Sequence, residues 1–192
     1  MPDRNQAALD FLLTRRSRPA KILTTPVPDK DTLNTILTAA ARTPDHGKLE
    51  PWRFIVLERP ALERLAGEIE TLGAQKAADP DKVMKAASQF AMANLVVIVV
   101  ESPKDHPKIP VIEQTYSAGA VCLALVNAGL ASGWGASWLS GWASHDRDFV
   151  RDHLGLADHE TVAGFVHLGT ERNAPPERPR PDLDTITTWV DV

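Results

Sequence analysis

The chain has 192 residues, 43% of them apolar and 24% charged, which is enough apolar material for a soluble domain with a sizeable core. A formal net charge of −4, with Lys and Arg scattered rather than banded, argues against a nucleic-acid partner. A single cysteine excludes an internal disulfide, and the lack of CxxC and HExxH patterns leaves no metal site to assign.

No composition shift marks a boundary, so the expectation is one domain over residues 1–192. The polar stretch Met1 to Gln6 has no apolar signal core and predicts a cytoplasmic protein. From Gln6 to Leu13, Ala8, Leu9, Leu12 and Leu13 recur at helical spacing. At the end of this helix Arg15, Arg16 and Ser17 offer two guanidiniums and a hydroxyl, groups suited to a phosphate. Asp29 is placed to cap a second helix, whose stripe runs through Leu33, Ile36, Leu37, Ala40 and Ala41 and delivers Arg42 to a loop. That loop, Arg42 to Phe54, holds Asp45, His46, Lys48 and Glu50 between Pro44 and Pro51. It has more polar chemistry than a connection needs.

Arg53 to Glu58 reads as a strand, followed by a third helix through about Glu70. Leu72 to Lys82 reads as a mobile excursion before a helix ending near Ala93. Leu95 to Val100 is apolar and β-branched throughout, the pattern of a strand buried on both faces at the sheet centre. Ile112 to about Ala131 forms the longest helix, with Cys122 inside it as a buried thiol. Glu113, Gln114, Ser117 and Asn127 interrupt it too often for a membrane span. Gly133 to Gly141 reads as a strand ending in a tight turn, with Trp134 as core filling, and Ser144 as the cap of a helix through His153. Val162 to Leu168 is a further strand. From Glu171 the chain runs extended to Asp182, and then Ile186, Thr188, Val190 and Val192 alternate as on a strand. Gly129, Gly133 and Gly135 give GxxxGxG, the wrong spacing for a Rossmann fingerprint, and no Walker A pattern occurs.

The order Arg15-Arg16-Ser17, then Arg42-Thr43-Pro44-Asp45-His46, then Pro51-Trp52-Arg53-Phe54 entering a strand, resembles the FMN-dependent nitroreductase family, in particular its small single-domain NAD(P)H nitroreductases. Ser137-Trp138-Leu139-Ser140-Gly141 and Gly164 to Thr170 extend the likeness over about Leu9 to Thr170. The resemblance implies an α+β fold with a central, mostly antiparallel sheet flanked by helices, assembled as an intertwined homodimer. The C-terminal arm, about residues 171–192, would lie over the partner and add a strand to its sheet.

It also implies a bound FMN, with NAD(P)H as the electron-donating co-substrate and a small-molecule acceptor such as a nitroaromatic or quinone. Arg15, Arg16 and Ser17 would hold the cofactor. Arg42 and His46 would reach into the partner's flavin site, and Trp138, Leu139 and Ser140 would line the ring. Ala128 matches a nicotinamide contact, and Arg178 and Arg180 match phosphate ligands. Several residues keep a plainer alternative: a helix C-terminus for Arg42, a local bond to Asp45 for His46, a small core position for Ala128, and a solvated tail for the two tail arginines. No catalytic side chain is assigned, because solvent can supply protons to an open flavin site. The acidic residue and helical lid of larger nitroreductases are not apparent, which leaves the acceptor open. The rival functions are a flavin-binding protein without turnover, and a hydrolase built on Ser17, Asp45 and His46, which lacks a GxSxG motif.

Overall fold

The computed structural model describes residues 3–191; Met1, which opens the polar N-terminal stretch, and Val192, the last of the alternating tail residues, lie outside them. The organising strand is β3 (Leu95–Glu101), whose first six residues are all buried. It lies between β2 (Trp52–Glu58) and β5 (Thr161–Glu171), and β5 pairs in addition with β4 (Gly135–Leu139) and with the short β1 (Leu23–Thr24). Every pairing is antiparallel, with an irregularity in the β3–β5 register between Val99 and Val100. Five strands and their flanking helices make an α+β fold.

Alternate residues of β3 feed two cores, as a period of two requires. Val96, Ile98 and Val100 face α3 (Arg59–Gln75), α4 (Pro80–Ala91) and α7 (Arg147–Leu154). There Phe90 meets Phe149 and Phe165 edge to face, with centroids 6.0 and 5.2 Å away. Leu95, Val97 and Val99 face α2 (Lys30–Ala40) and α5 (Val111–Ala131). Each fully buried Leu, Ile, Val or Phe in these layers stabilises the fold by roughly 1.5–3 kcal/mol before entropy is counted. The first helix, α1 (Gln6–Thr14), buries none of its residues in the protomer, and Leu12 and Leu13 are exposed. Among the described residues no helix is long and apolar enough to cross a membrane.

Three expectations change. The segment 72–82 is not an excursion: α3 continues through Gln75, α4 starts at Pro80, and Lys76 between them is anchored by ion pairs to Asp146 and Asp148 at 2.8 and 2.6 Å. Ser144 does not cap the helix through His153. It belongs to the single turn α6 (Trp142–His145), and Asp146 caps α7 by accepting from the Phe149 N–H at 3.0 Å. In the tail, Ile186 ends a helical turn, α8 (Leu183–Ile186), because the Asp182 carboxylate and carbonyl take the Asp184 N–H and the Thr185 hydroxyl.

Two buried groups tie stability to pH. Arg53 holds the Glu160 carboxylate in two parallel bonds of 2.8 and 2.7 Å, which brings its pKa down to about 2 from 4.5. Burial brings His167 on β5 down to about 4 from 6.5, keeping it neutral. Both groups take up protons in the unfolded chain before they do in the folded one, so both contributions are present at neutral pH and fall away with acid. The His167 contribution is lost from about pH 6.5 towards 4, and the Glu160 contribution from 4.5 towards 2. Each shift corresponds to roughly 3 kcal/mol at most. Melting temperature measured against pH is expected to fall in two stages, and His167→Gln to flatten the first.

Candidate functional site

The helix α1 stops at Arg15, whose backbone turns extended (φ −57°, ψ 143°) after the Thr14 hydroxyl has bonded back to the Asp10 carbonyl. The chain then runs alongside β4, where the Arg18 N–H donates to the Ala136 carbonyl at 2.9 Å. This path gathers Arg15, Arg16 and Arg18 around a cavity of about 260 Å³ that Thr14, Trp134 and Glu171 also line. Arg15 donates to the Ser17 hydroxyl at 3.1 Å, and Arg18 is paired with Glu171. The Nε groups of both Arg15 and Arg16 are buried with no hydrogen-bond partner. Burial lowers the Arg15 pKa, and the neighbouring charges of Arg180, Arg18 and Arg16 lower it further. Unpaired buried donors among mutually repelling cations are costly unless an anion joins them. The donor set fits a phosphate monoester.

Arg180 reaches this cluster from the tail and is itself bridged to Glu177 at 2.8 Å. Arg178 is exposed, and its backbone N–H donates to the Glu177 carboxylate at 2.9 Å. Trp134 is half-buried against the α5-side core and also forms a wall of the arginine cavity, so it is more than core filling.

From the arginine cavity β4 leads to a second one of about 320 Å³, lined by Lys21, Lys85, Gln89, Met92, Ser137 and Leu139 among others. Gly135 and Leu139 are four positions apart on β4, a run of about 13 Å. Trp138 lies on the opposite face of β4, 42% exposed, with its indole N–H donating to the Ala163 carbonyl at 3.2 Å. Gly164 makes this placement possible, since a Cβ there would sit 2.0 Å from the indole nitrogen. Ser140 is exposed at the end of the strand. Gly141 does not use the freedom of a glycine: its φ of 169° is extended, and the Ser144 hydroxyl closes the turn by accepting from its N–H at 3.0 Å. Ala128 packs against the α5-side core and lines neither cavity.

Arg42 and His46 lie elsewhere in the protomer. Arg42 is exposed, one residue beyond the helix cap Ala41. His46 does not bond Asp45. Its Nδ1 lies 2.6 Å from Glu113 Oε2 of α5, and Asp45 instead accepts from the Leu49 N–H at 2.6 Å. Ser17 therefore bonds in the arginine cluster while Asp45 and His46 border a different, open cavity, so these three residues are not brought together as a Ser-His-Asp constellation. Sequence reasoning missed Lys21 and the α4 set Lys85, Ser88 and Gln89, with Met92 at the helix's C-cap. The α4 set recurs at helical spacing, but opposite Val83, Ala86 and Phe90 it reads as an ordinary solvent face.

A model described as Nitroreductase family matches residues 12–170. A protein of Escherichia coli (strain K12) named "Putative NAD(P)H nitroreductase YdjA" is 37% identical over 164 residues, covering 85% of this chain and 87% of its own. Among solved structures, a nitroreductase-like family protein from Bacillus cereus has a TM-score of 0.78 at 20% identity, covering 99% of this chain and 98% of its own. A protein of Desulfovibrio desulfuricans described as "a putative nitroreductase in complex with fmn" has a TM-score of 0.74 at 17% identity, covering 99% of each chain. The chain belongs to the nitroreductase family and, with it, to the oxidoreductases.

Proposed function

We propose that this chain is an FMN-dependent NAD(P)H oxidoreductase, a single-domain subunit of a cytoplasmic homodimer, acting on electron-poor acceptors such as nitroaromatics or quinones. The observation that carries the reading is the cluster of Arg15, Arg16, Arg18 and Arg180, with two buried Nε donors unpartnered beside a cavity. FMN, when bound, would accept a hydride at N5 from NAD(P)H and pass it to the second substrate after the first has left. Arg15, Arg16, Ser17 and Arg180 would hold the phosphate. Leu139, Lys21 and Lys85 would border the ring, with the two ammoniums favouring its electron-rich carbonyl end.

Arg42 and His46 complete the site from the second subunit in this reading. Two observations support a partner: His46 borders a different cavity from the arginine cluster of its own chain and Arg42 lines neither, and apolar side chains stand uncovered. Leu12, Leu13, Ile112, Tyr116 and Leu123 are exposed, and Trp189 on the tail is 90% exposed. The tail of one subunit would lie against the open edge of β2 in the other.

The visible absorption spectrum of the purified protein, followed by chromatography of the heat-released chromophore, tests the reading. A yellow protein releasing FMN and bleached by NADH or NADPH is expected. A colourless protein that takes up no added FMN would overturn the proposal.

A further inference from the structure

The loop bearing His46 is held from several sides. Ser117 of α5 donates to the Pro44 carbonyl at 3.0 Å and accepts from the Trp52 indole at 3.2 Å. Gly47 takes a φ of 77° with Ile109 packed so close that a Cβ would lie 2.6 Å from its Cδ1. Lys48 and Glu50 also take positive φ, 56° and 47°, a conformation that persists only where the surroundings enforce it. A loop fixed in this way presents His46 in one place. There its Nδ1 lies 2.6 Å from the carboxylate of Glu113, in the first turn of α5.

An ionised carboxylate only accepts, so the hydrogen of this bond is on Nδ1, and Nε2 is the nitrogen that has no protein partner among the described residues. The pair borders an open cavity of about 470 Å³ with Pro44, Asp45, Tyr116 and Ser117. Asp45 is occupied with the Leu49 N–H, so Glu113 is the carboxylate that addresses the imidazole.

The geometry points to Glu113 as the positioning residue of His46: it fixes the Nδ1–H tautomer, turns Nε2 into the nitrogen offered to the flavin ring of the second subunit, and stabilises positive charge on the imidazole when that ring is reduced. The inference rests on the reading that His46 reaches the partner's flavin. A carboxylate behind an imidazole sets both its orientation and its response to charge on the far side. In that tautomer Nε2 carries a lone pair, so it would take up a proton from solvent as negative charge builds on the reduced ring, and the imidazolium would then donate from Nε2 with the Glu113 charge as the counterweight.

The test uses the full-length, FMN-loaded protein and measures the midpoint potential of the bound flavin. Glu113→Gln keeps an acceptor for Nδ1–H and removes the charge. It is expected to shift the potential to more negative values while FMN retention and melting temperature stay unchanged. Glu113→Asp is expected to restore most of the shift. His46→Ala is expected to shift the potential the same way, and adding Glu113→Gln to it to change nothing further. Nitrogen NMR of the FMN-free protein is expected to show the Nδ1–H tautomer at His46, lost in Glu113→Ala. If His46→Ala moves the potential and Glu113→Gln does not, the inference fails while the shared site stands. If neither moves it, His46 is not at the ring and the wider reading of that residue fails with it.

Discussion

An Arg15→Ala variant is expected to purify colourless yet folded. The guanidinium it removes is partly desolvated, lacks a partner for Nε, and is surrounded by Arg16, Arg18 and Arg180. In the cofactor-free protein those features destabilise, so the melting temperature of the apo variant is expected to equal or exceed that of the apo parent. With the phosphate present the balance inverts. Each charge-assisted hydrogen bond contributes roughly 1.5–3 kcal/mol, so each one lost weakens FMN binding about ten- to hundredfold. Arg15→Lys restores the charge without the planar fork and should recover only part of the affinity. Fluorescence titration with FMN, alongside circular dichroism and melting of the apo forms, checks all three expectations. Undiminished FMN affinity in Arg15→Ala would show that the phosphate lies elsewhere.

What could be read from the chain follows the range of the interaction behind each feature. Asp29 as a helix cap and the burial of Leu95 to Val100 on both faces are local consequences of spacing and side-chain type, and both are found. The antiparallel α+β architecture came from motif order, because a strand pattern alone does not name its neighbours. The cap expected at Ser144 falls instead to Asp146, two positions on, because its carboxylate accepts from the Phe149 N–H. Contacts across the fold left no local trace. Glu113 is 67 residues from His46 in sequence, and nothing in the spacing of either announces the pair. The approach of Arg180 to Arg15 depends on the path of an irregular tail. The α4 wall of the β4 cavity is hidden for another reason: the polar face of an amphipathic helix looks the same whether it meets water or a ligand slot.

That separation of motifs in space also yields the prediction with the widest reach. Arg15 and His46 border different cavities of one protomer, so if both serve one flavin they do so from different subunits. Arg15→Ala and His46→Ala, each made alone, should then impair both sites of their own homodimers. In a heterodimer formed by co-expression one site carries both substitutions and the other carries neither. Random pairing at equal expression makes half the dimers heterodimers, so about a quarter of the wild-type flavin sites should reappear. The quantity to measure is FMN-dependent NAD(P)H oxidation by the co-expressed pair, using differently tagged chains so that the heterodimer can be isolated and its FMN counted. A site built within one chain predicts something quite different, since every subunit of the mixture would still carry one lesion and activity would not rise above the average of the two variants. Recovery therefore assigns His46 to the partner's site, and its absence would return Arg42 and His46 to a structural role on the loop that Ser117 and Glu113 hold in place.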